Sequence, residues 1–406
     1  MRSNIVYLDN AATTKPYDEV ITCMKTIEHD HYGNPSSSHS MGLDAEKIIK
    51  DAGDFLGSSL GVKRENLVFT SGGTESDNMA LMQPFFDINK IENKGLIMSK
   101  TEHPAVNSTG DYLENQGIEV KRLPVDGYGV TDLDSLRRSI DVNTAIISIM
   151  YVNNEVGTIQ PVRDICSIKS EASLKYNRDL KYHTDAVQAY GKFPIDLNKD
   201  ELAGIDLMTV SAHKIHGSKG VGALYIRNPN KIMPFIRGGG QERGFRSGTE
   251  NVAGISGFGC AAGIQFNDLK TKMKKVAELR KRLLEALLDN IKDIVINSPI
   301  DASLEGEPGK CVPTILSASF LGTKGEVILH SLEQSGIYVS TESACSSKKR
   351  AKSPVLSAMG KSSEEIEGTI RFSLSVFNTV EEIDYAVAET KKAVEKFRKL
   401  TGYKRK

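Results

Sequence analysis

Short apolar runs rich in β-branched residues alternate with amphipathic stretches over the first two thirds of the chain. The runs fall at 66–70, 96–99, 120–123, 144–151, 181–184, 207–211 and 222–226, and helical spacing of apolar residues spans 74–86, 105–115 and 162–176. Strand-type and helix-type segments in alternation predict an α/β fold, a mostly parallel seven-stranded sheet with helices on both faces. A long helical stretch at 254–292 comes next. After it the pattern changes to short strands and helices, 314–320 and 370–374 among them, which predicts a smaller α+β lobe. The expected division places a large domain at 16–257 and a small one at 1–15 plus 258–406, with the extended opening returning to the second lobe. Open sheets of this kind bind ligands beyond the carboxyl ends of their strands.

Length and charge narrow the partners. At 406 residues the chain exceeds one usual core, and Lys plus Arg and Asp plus Glu both total 52. That balance gives no field for nucleic acid or an anionic membrane, so a small molecule or another protein is expected. Basic clusters at 348–350 and 404–406 read as solvated. No apolar stretch approaches the roughly 20 residues of a membrane span, and the first residues lack a secretory pattern, so the expected location is cytoplasmic. The five cysteines contain no Cys-x-x-Cys pair, which fits reduced thiols rather than a disulfide frame, and no metal is expected.

Polar residues of interest fall at the strand ends. Lys214 follows the run 204–211 and opens a glycine-studded turn. An amine in a packed strand-to-turn junction tends to lose its proton, the condition for a Schiff base with a carbonyl cofactor; read alone, Lys214 is more simply a surface turn lysine, and its neighbours His213, Ser211 and Gly217 begin to reverse that. Ser71-Gly-Gly-Thr-Glu-Ser-Asp-Asn follows a strand and opens a helix, so backbone N–H groups, Gly73 and the Thr74 hydroxyl form a phosphate-seeking helix start or an ordinary N-cap. No Walker lysine follows it. Asp185 ends a strand, where a carboxylate either holds a pyridinium nitrogen or caps a helix. His103 also follows a strand and is either structural or able to stack on a ring and move protons. Asn154 is a ring-oxygen partner or a turn former. Taken together, a phosphate-binding helix start, an acid, a stacking imidazole and an amine at the strand ends of one lobe make the set that pyridoxal 5'-phosphate requires. Cys345 lies in a small, polar segment beside Lys348, Lys349 and Arg350, cations that favour its thiolate; the alternative is an inert surface thiol. Cys23, Cys166 and Cys260 read as core or unremarkable thiols.

The chain resembles the cysteine desulfurases, the NifS/IscS-like branch of the class V aminotransferase superfamily, over residues 7 to about 383. The matching pieces are Tyr-Leu-Asp-Asn-Ala-Ala-Thr-Thr at 7–14, Thr-Ser-Gly-Gly-Thr-Glu-Ser-Asp-Asn at 70–78 and Ser-Ala-His-Lys-Ile-His-Gly at 211–217. Further on come Arg-Gly-Gly-Gly-Gln-Glu-Arg at 237–243, Ser-Gly-Thr-Glu-Asn-Val at 247–252, Ser-Ala-Cys-Ser at 343–346 and Ile-Arg-Phe-Ser-Leu at 370–374. The resemblance implies a fold type I homodimer that takes sulfur from L-cysteine and leaves L-alanine. It implies that Lys214 carries the cofactor, that His103 stacks on its ring and moves protons, and that Asp185 faces the ring nitrogen while Gln188 and Asn154 face the ring oxygen. Thr74, Ser211 and His213 would hold the phosphate, with Thr249 of the other subunit, and Arg371 and Asn34 would clamp the substrate carboxylate. Cys345 would take the sulfur as a persulfide and pass it to an acceptor protein. Selenocysteine lyases and other class V aminotransferases share the cofactor and stay open as alternatives, as does a catalytically silent binding partner.

Two departures stand out. Residue 342 is Glu where such enzymes commonly carry a small residue, and a carboxylate three residues before the thiol opposes thiolate formation. The end of the chain lacks the tryptophan-containing tail by which some relatives meet an iron–sulfur scaffold.

Overall fold

The computed structural model describes residues 5–86, 94–302, 310–341 and 353–403. After a two-residue strand, β1 (Val6–Tyr7), the sheet-forming strands of the large lobe are β2 (Leu67–Thr70), β3 (Gly95–Ser99), β4 (Glu119–Leu123), β5 (Thr144–Ser148), β6 (Lys181–Asp185), β7 (Leu207–Ser211) and β8 (Gly222–Ile226). They form one seven-stranded sheet in the order β2-β8-β7-β6-β5-β3-β4. Only β8 runs against its neighbours. The predicted α/β sheet is therefore present, with each predicted run supplying one strand. Every residue of β2, β3, β7 and β8 is buried, as strands covered by helices on both faces must be.

The second lobe holds β9 (Ile294–Ile296), β10 (Ile315–Phe320), β11 (Ile337–Tyr338) and β12 (Thr369–Ser373). A three-stranded antiparallel sheet runs β12-β10-β9, and β1 pairs in parallel with β11. The opening of the chain thus lies on this lobe, and Val6 and Leu8 pack in its core. The helix Val380–Thr401 covers the sheet. It begins with a reciprocal capping box between Thr379 and Glu382 and stops at Gly402, whose φ of 64° suits glycine.

The 254–292 stretch is two helices, Val252–Phe266 and Leu269–Asn290, broken where Asp268 takes a φ of 60°. The break changes which core is served. Ile255, Phe258, Ala261 and Ala262 pack with the large sheet, whereas Leu269, Met273, Val276, Leu283 and Leu287, at helical spacing, pack with the small one. Phe258, where the sequence reading divides the lobes, sits inside the first of these helices.

Candidate active site

The carboxyl ends of β2, β6 and β7 meet at one place. Beyond β2 the chain turns at Gly72 with φ 152° and enters the helix Gly73–Met82. A side chain on Gly222 of β8 would come within 2.8 Å of the Gly72 Cα and the Val210 carbonyl, so the two glycines let the turn lie flat on the sheet. Glu75 braces the turn: its carboxylate accepts the Ser71 N–H at 2.9 Å and is held by Arg246 at 2.8 Å. Thr74 then lines a cleft of about 390 Å³ with Asn78, His103, Thr109 and Tyr112. Across from it the Ser211 hydroxyl is buried with no hydrogen-bond partner among the described residues. A buried hydroxyl without a partner beside a helix N-terminus is what a phosphate would satisfy. His213 is adjacent, its Nδ1 3.1 Å from the Thr13 hydroxyl; burial first, then Lys214 and Lys219, push its pKa down to about 4.

Lys214 ends the single turn Ala212–Lys214 after β7 and is half-buried. Its Nζ donates to the carbonyls of Ala11 at 2.6 Å and Ala12 at 2.8 Å. The amine is thus held as a donor to acceptor-only oxygens, a different setting from the desolvated junction that its sequence position predicts. Gln188 donates to the same Ala11 carbonyl at 2.9 Å. The segment that supplies these carbonyls is anchored on the small lobe through Asn10 and the Ala11 N–H, both bonded to Ser373.

Asp185, the last residue of β6, is buried and accepts the Val187 N–H at 2.9 Å. Burial raises its pKa, while His103, the Val187 N–H and Lys214 pull it down. His103 caps the helix Pro104–Asn115 with Nδ1 accepting the Ala105 N–H at 3.1 Å. Its pKa is lowered, by burial above all, with Asp185 opposing and Lys214 assisting. One ligand atom each of Asp77, His103 and Asp185 lie within 4.8 Å of one another.

Arg371 of β12 reaches this edge from the other lobe, buried, with one guanidinium arm on the Asn154 carbonyl and one on Asp9, both at 3.0 Å. The role expected of Asn154 was a side-chain one, yet here its main chain is engaged. The turn-forming amide is Asn153, which binds Thr101, Glu155 and Val156. Asn34 is exposed and its side-chain oxygen accepts from Ser36. Thr249 is exposed. Cys345 and Glu342 lie outside the described residues, as do the basic residues 348–350. Cys166 and Cys311 are buried, Cys23 and Cys260 intermediate.

Several functional candidates escape sequence reasoning. Asp9 fills one arm of the Arg371 fork. Asp77 and Glu102 are buried acids with raised pKa values beside Asp185. His183 lies two residues before Asp185 on the same strand face. Lys192 is buried, donates to the Lys214 carbonyl at 2.9 Å, and is brought down to about 8 by burial and then by Lys214. A signal existed for three of them: Asp9 stands in the 7–14 motif, Asp77 in the 70–78 motif, and His183 at period-two spacing from Asp185. A larger cleft of about 450 Å³, lined by Lys94, Arg178, Lys181 and Lys231, holds none of the residues gathered here.

Residues 6–386 match the aminotransferase class-V family. The chain is 41% identical over 399 residues to a protein of Dictyoglomus turgidum named cysteine desulfurase IscS, covering 98% of this chain and 97% of that one. A protein of the same name from Methanosarcina thermophila is 41% identical over 396 residues, covering 98% and 93%. Among solved structures, a NifS-like protein superposes with a TM-score of 0.86 at 38% identity, covering 97% of this chain and 100% of that one. A structure titled SspA in complex with cysteine superposes with a TM-score of 0.77 at 30% identity, covering 92% and 100%.

Proposed function

Because the chain belongs to the class-V aminotransferase family, we propose that it is a pyridoxal 5'-phosphate-dependent cysteine desulfurase that converts L-cysteine to L-alanine and holds the released sulfur as a persulfide on Cys345. The observation that carries the reading is the convergence at one sheet edge of the Lys214 amine, the buried Asp185 carboxylate and the Ser211 hydroxyl, buried without a partner among the described residues, near a helix start. Those groups fit the cofactor. Thr74, Ser211, His213 and the N–H groups at the start of the helix Gly73–Met82 would hold its phosphate, Asp185 its ring nitrogen, Gln188 and Asn154 its ring oxygen, and Lys214 its carbonyl carbon. When bound, the cofactor supplies an electron sink for the substrate's α carbon.

The protein's own groups do the rest. Arg371 binds the substrate carboxylate, and Asp9, already on one guanidinium arm, fixes the plane of the fork. His103 has a lowered pKa, so its neutral ring is available to stack and to accept a proton. Lys214, freed from the Ala11 and Ala12 carbonyls, serves as proton carrier at the α carbon. Cys345 thiolate attacks the substrate sulfur. One S–S bond forms, the C–S bond breaks, and protons are conserved as L-cysteine plus thiol becomes L-alanine plus persulfide. The terminal sulfur then passes to an acceptor protein of iron–sulfur or thio-cofactor supply.

The sequence and chemistry support a cytoplasmic homodimer in which the exposed Thr249 reaches the partner's phosphate site. No helix of the described residues is long and apolar enough to cross a membrane. The test is alanine formation from L-cysteine, with mass mapping of the persulfide. Cys345→Ser should abolish persulfide and sulfide while the cofactor's visible absorbance stays. Unchanged turnover in that variant would remove Cys345 from the reaction.

A further inference from the structure

Behind Asp185 lies a chain of buried polar groups that the proposed reaction leaves unused. His183, fully buried, has Nδ1 2.9 Å from the Ser148 hydroxyl and Nε2 3.0 Å from the Thr209 hydroxyl. Thr209 in turn hydrogen-bonds Asp77. One assignment that satisfies these contacts has Ser148 O–H donating to His183 Nδ1, His183 Nε2–H to Thr209, and Thr209 O–H to Asp77. Burial holds the His183 ring neutral, with a pKa of about 3, so it has one N–H to give, and in this assignment Thr209 takes it.

That leaves Asp77 Oδ1. It is buried and has no hydrogen-bond partner among the described residues; His183 Nε2, at 3.5 Å, is already engaged by Thr209. The groups facing Asp77 and Asp185 are Glu102 and His103 from the segment after β3, His183 from β6, Thr209 from β7 and Lys214 just beyond it. Facing Asp77 among the described residues are two acids, a hydroxyl and two imidazoles whose pKa values burial lowers, His183 and His103, the latter with a ring nitrogen within 4.8 Å of an Asp77 oxygen. Two carboxylates this close in a buried site do not both stay ionised. Asp77 is the more enclosed of the two acids, 1% exposed against 6%, and Lys214 draws on Asp185, so the negative charge belongs on Asp185 and the proton on Asp77.

We propose that Asp77 is a positioning residue for Asp185: a protonated carboxylic acid whose Oδ1–H donates to the Asp185 carboxylate and thereby aims it at the ring nitrogen of the cofactor. The proposal rests on Asp185 being the ring-nitrogen partner. It deepens that reading by making the electron-sink acid the end of a five-residue relay, Ser148, His183, Thr209, Asp77 and Asp185, built on three strands and a helix. An amide at position 77 keeps a donor, whereas alanine removes it.

Difference infrared spectroscopy of the apoprotein at neutral pH, wild type against Asp77→Asn, reads the proton directly. The expected result is a protonated-carboxyl stretch present in the wild type and lost in the variant, with Glu102→Gln assigning the other buried acid. In parallel, pyridoxal 5'-phosphate affinity should stay within about threefold in Asp77→Asn and weaken roughly tenfold or more in Asp77→Ala, the effect of losing one hydrogen bond to a charged group. An unchanged protonated-carboxyl band, or an asparagine variant as impaired as the alanine one, would overturn the proposal. Failure of the wild type to take up the cofactor would overturn instead the reading of Asp185 on which it rests, and the infrared result would still decide where the proton sits.

Discussion

Two buried charged regions of this protein differ in how completely they are bonded. In the small lobe, Arg280 is 2% exposed yet gives its donors to the carbonyls of Ile315, Ile300 and Pro299, at 2.9, 3.1 and 2.7 Å. It staples the helix Leu269–Asn290 to β10 and the segment before it. At the carboxyl edge of the large sheet, Asp77, Asp185 and Glu102 are also buried, but Asp77 and Glu102 each have an oxygen without a partner among the described residues, as does Ser211. Burying polar groups is costly in both places. Where the bonds are complete, the charge serves the scaffold; where they are left open, the site is prepared for a ligand that completes them.

The comparison breaks most sharply with a pair of substitutions. Arg280→Ala takes a donor from each of three carbonyls, of which Pro299 keeps the Cys311 thiol, and opens a cavity, so it should destabilise the protein by about 3 kcal/mol or more while the folded fraction binds pyridoxal 5'-phosphate as before. Asp185→Asn should do the reverse, leaving the apoprotein's melting temperature unchanged or higher, because burial raises that carboxyl's pKa and so penalises its charge, and weakening the cofactor. Thermal melts with a cofactor titration check both. Equal loss of stability in the two variants would erase the distinction.

Arg371 lies between the two classes, bonded to Asp9 and Asn154 yet placed at the cofactor edge. Arg371→Lys keeps the charge and loses the planar fork, so kcat/KM for L-cysteine should drop roughly tenfold or more with little change in melting temperature. A large stability loss with unchanged kcat/KM would move Arg371 into the scaffold class.

A smaller effect sharpens the picture through pH. His216 packs between Tyr17 and Phe377, with ring centroids 4.7 and 5.0 Å away, and burial first, then Lys192, brings its pKa to about 4. The unfolded chain protonates this imidazole near pH 6.5. Between about pH 6.5 and 4 the unfolded state therefore binds more protons than the native one, and stability falls as pH falls through that window. Above it the contribution is complete. His216→Gln should flatten the acid limb of the apoprotein's melting curve, and an unaltered limb would place the titrating group elsewhere.

Much of this was legible from residues alone, and the gaps have physical causes. The large sheet was readable because its strands are short, apolar and separated by amphipathic helices. The break at Asn267 and Asp268 was not, since the helical pattern resumes at once after the pair; Asn267 is extended, with ψ 110°, and Asp268 left-handed. The expected strand 144–151 ends at Ser148, although Ile149 and Tyr151 still donate to His183 and Asp185 carbonyls, because the chain bends away to form the Asn153 turn. Lys214, Asp185, His103 and Thr74 could be read as candidates because each sits at a strand end or helix start. Asp77, Asp9 and Arg280 were missed because their meaning depends on partners distant in sequence: an acid among helix residues and an arginine on an apolar helix face look ordinary until the topology brings their neighbours to them.

The central claim is that the cofactor is tethered to Lys214 at the Asp185 edge. Borohydride reduction of the protein loaded with pyridoxal 5'-phosphate, followed by peptide mass mapping, tests it directly. One pyridoxyl label is expected, on the peptide carrying Lys214. A label on the nearby buried Lys192, or none at all, would contradict it.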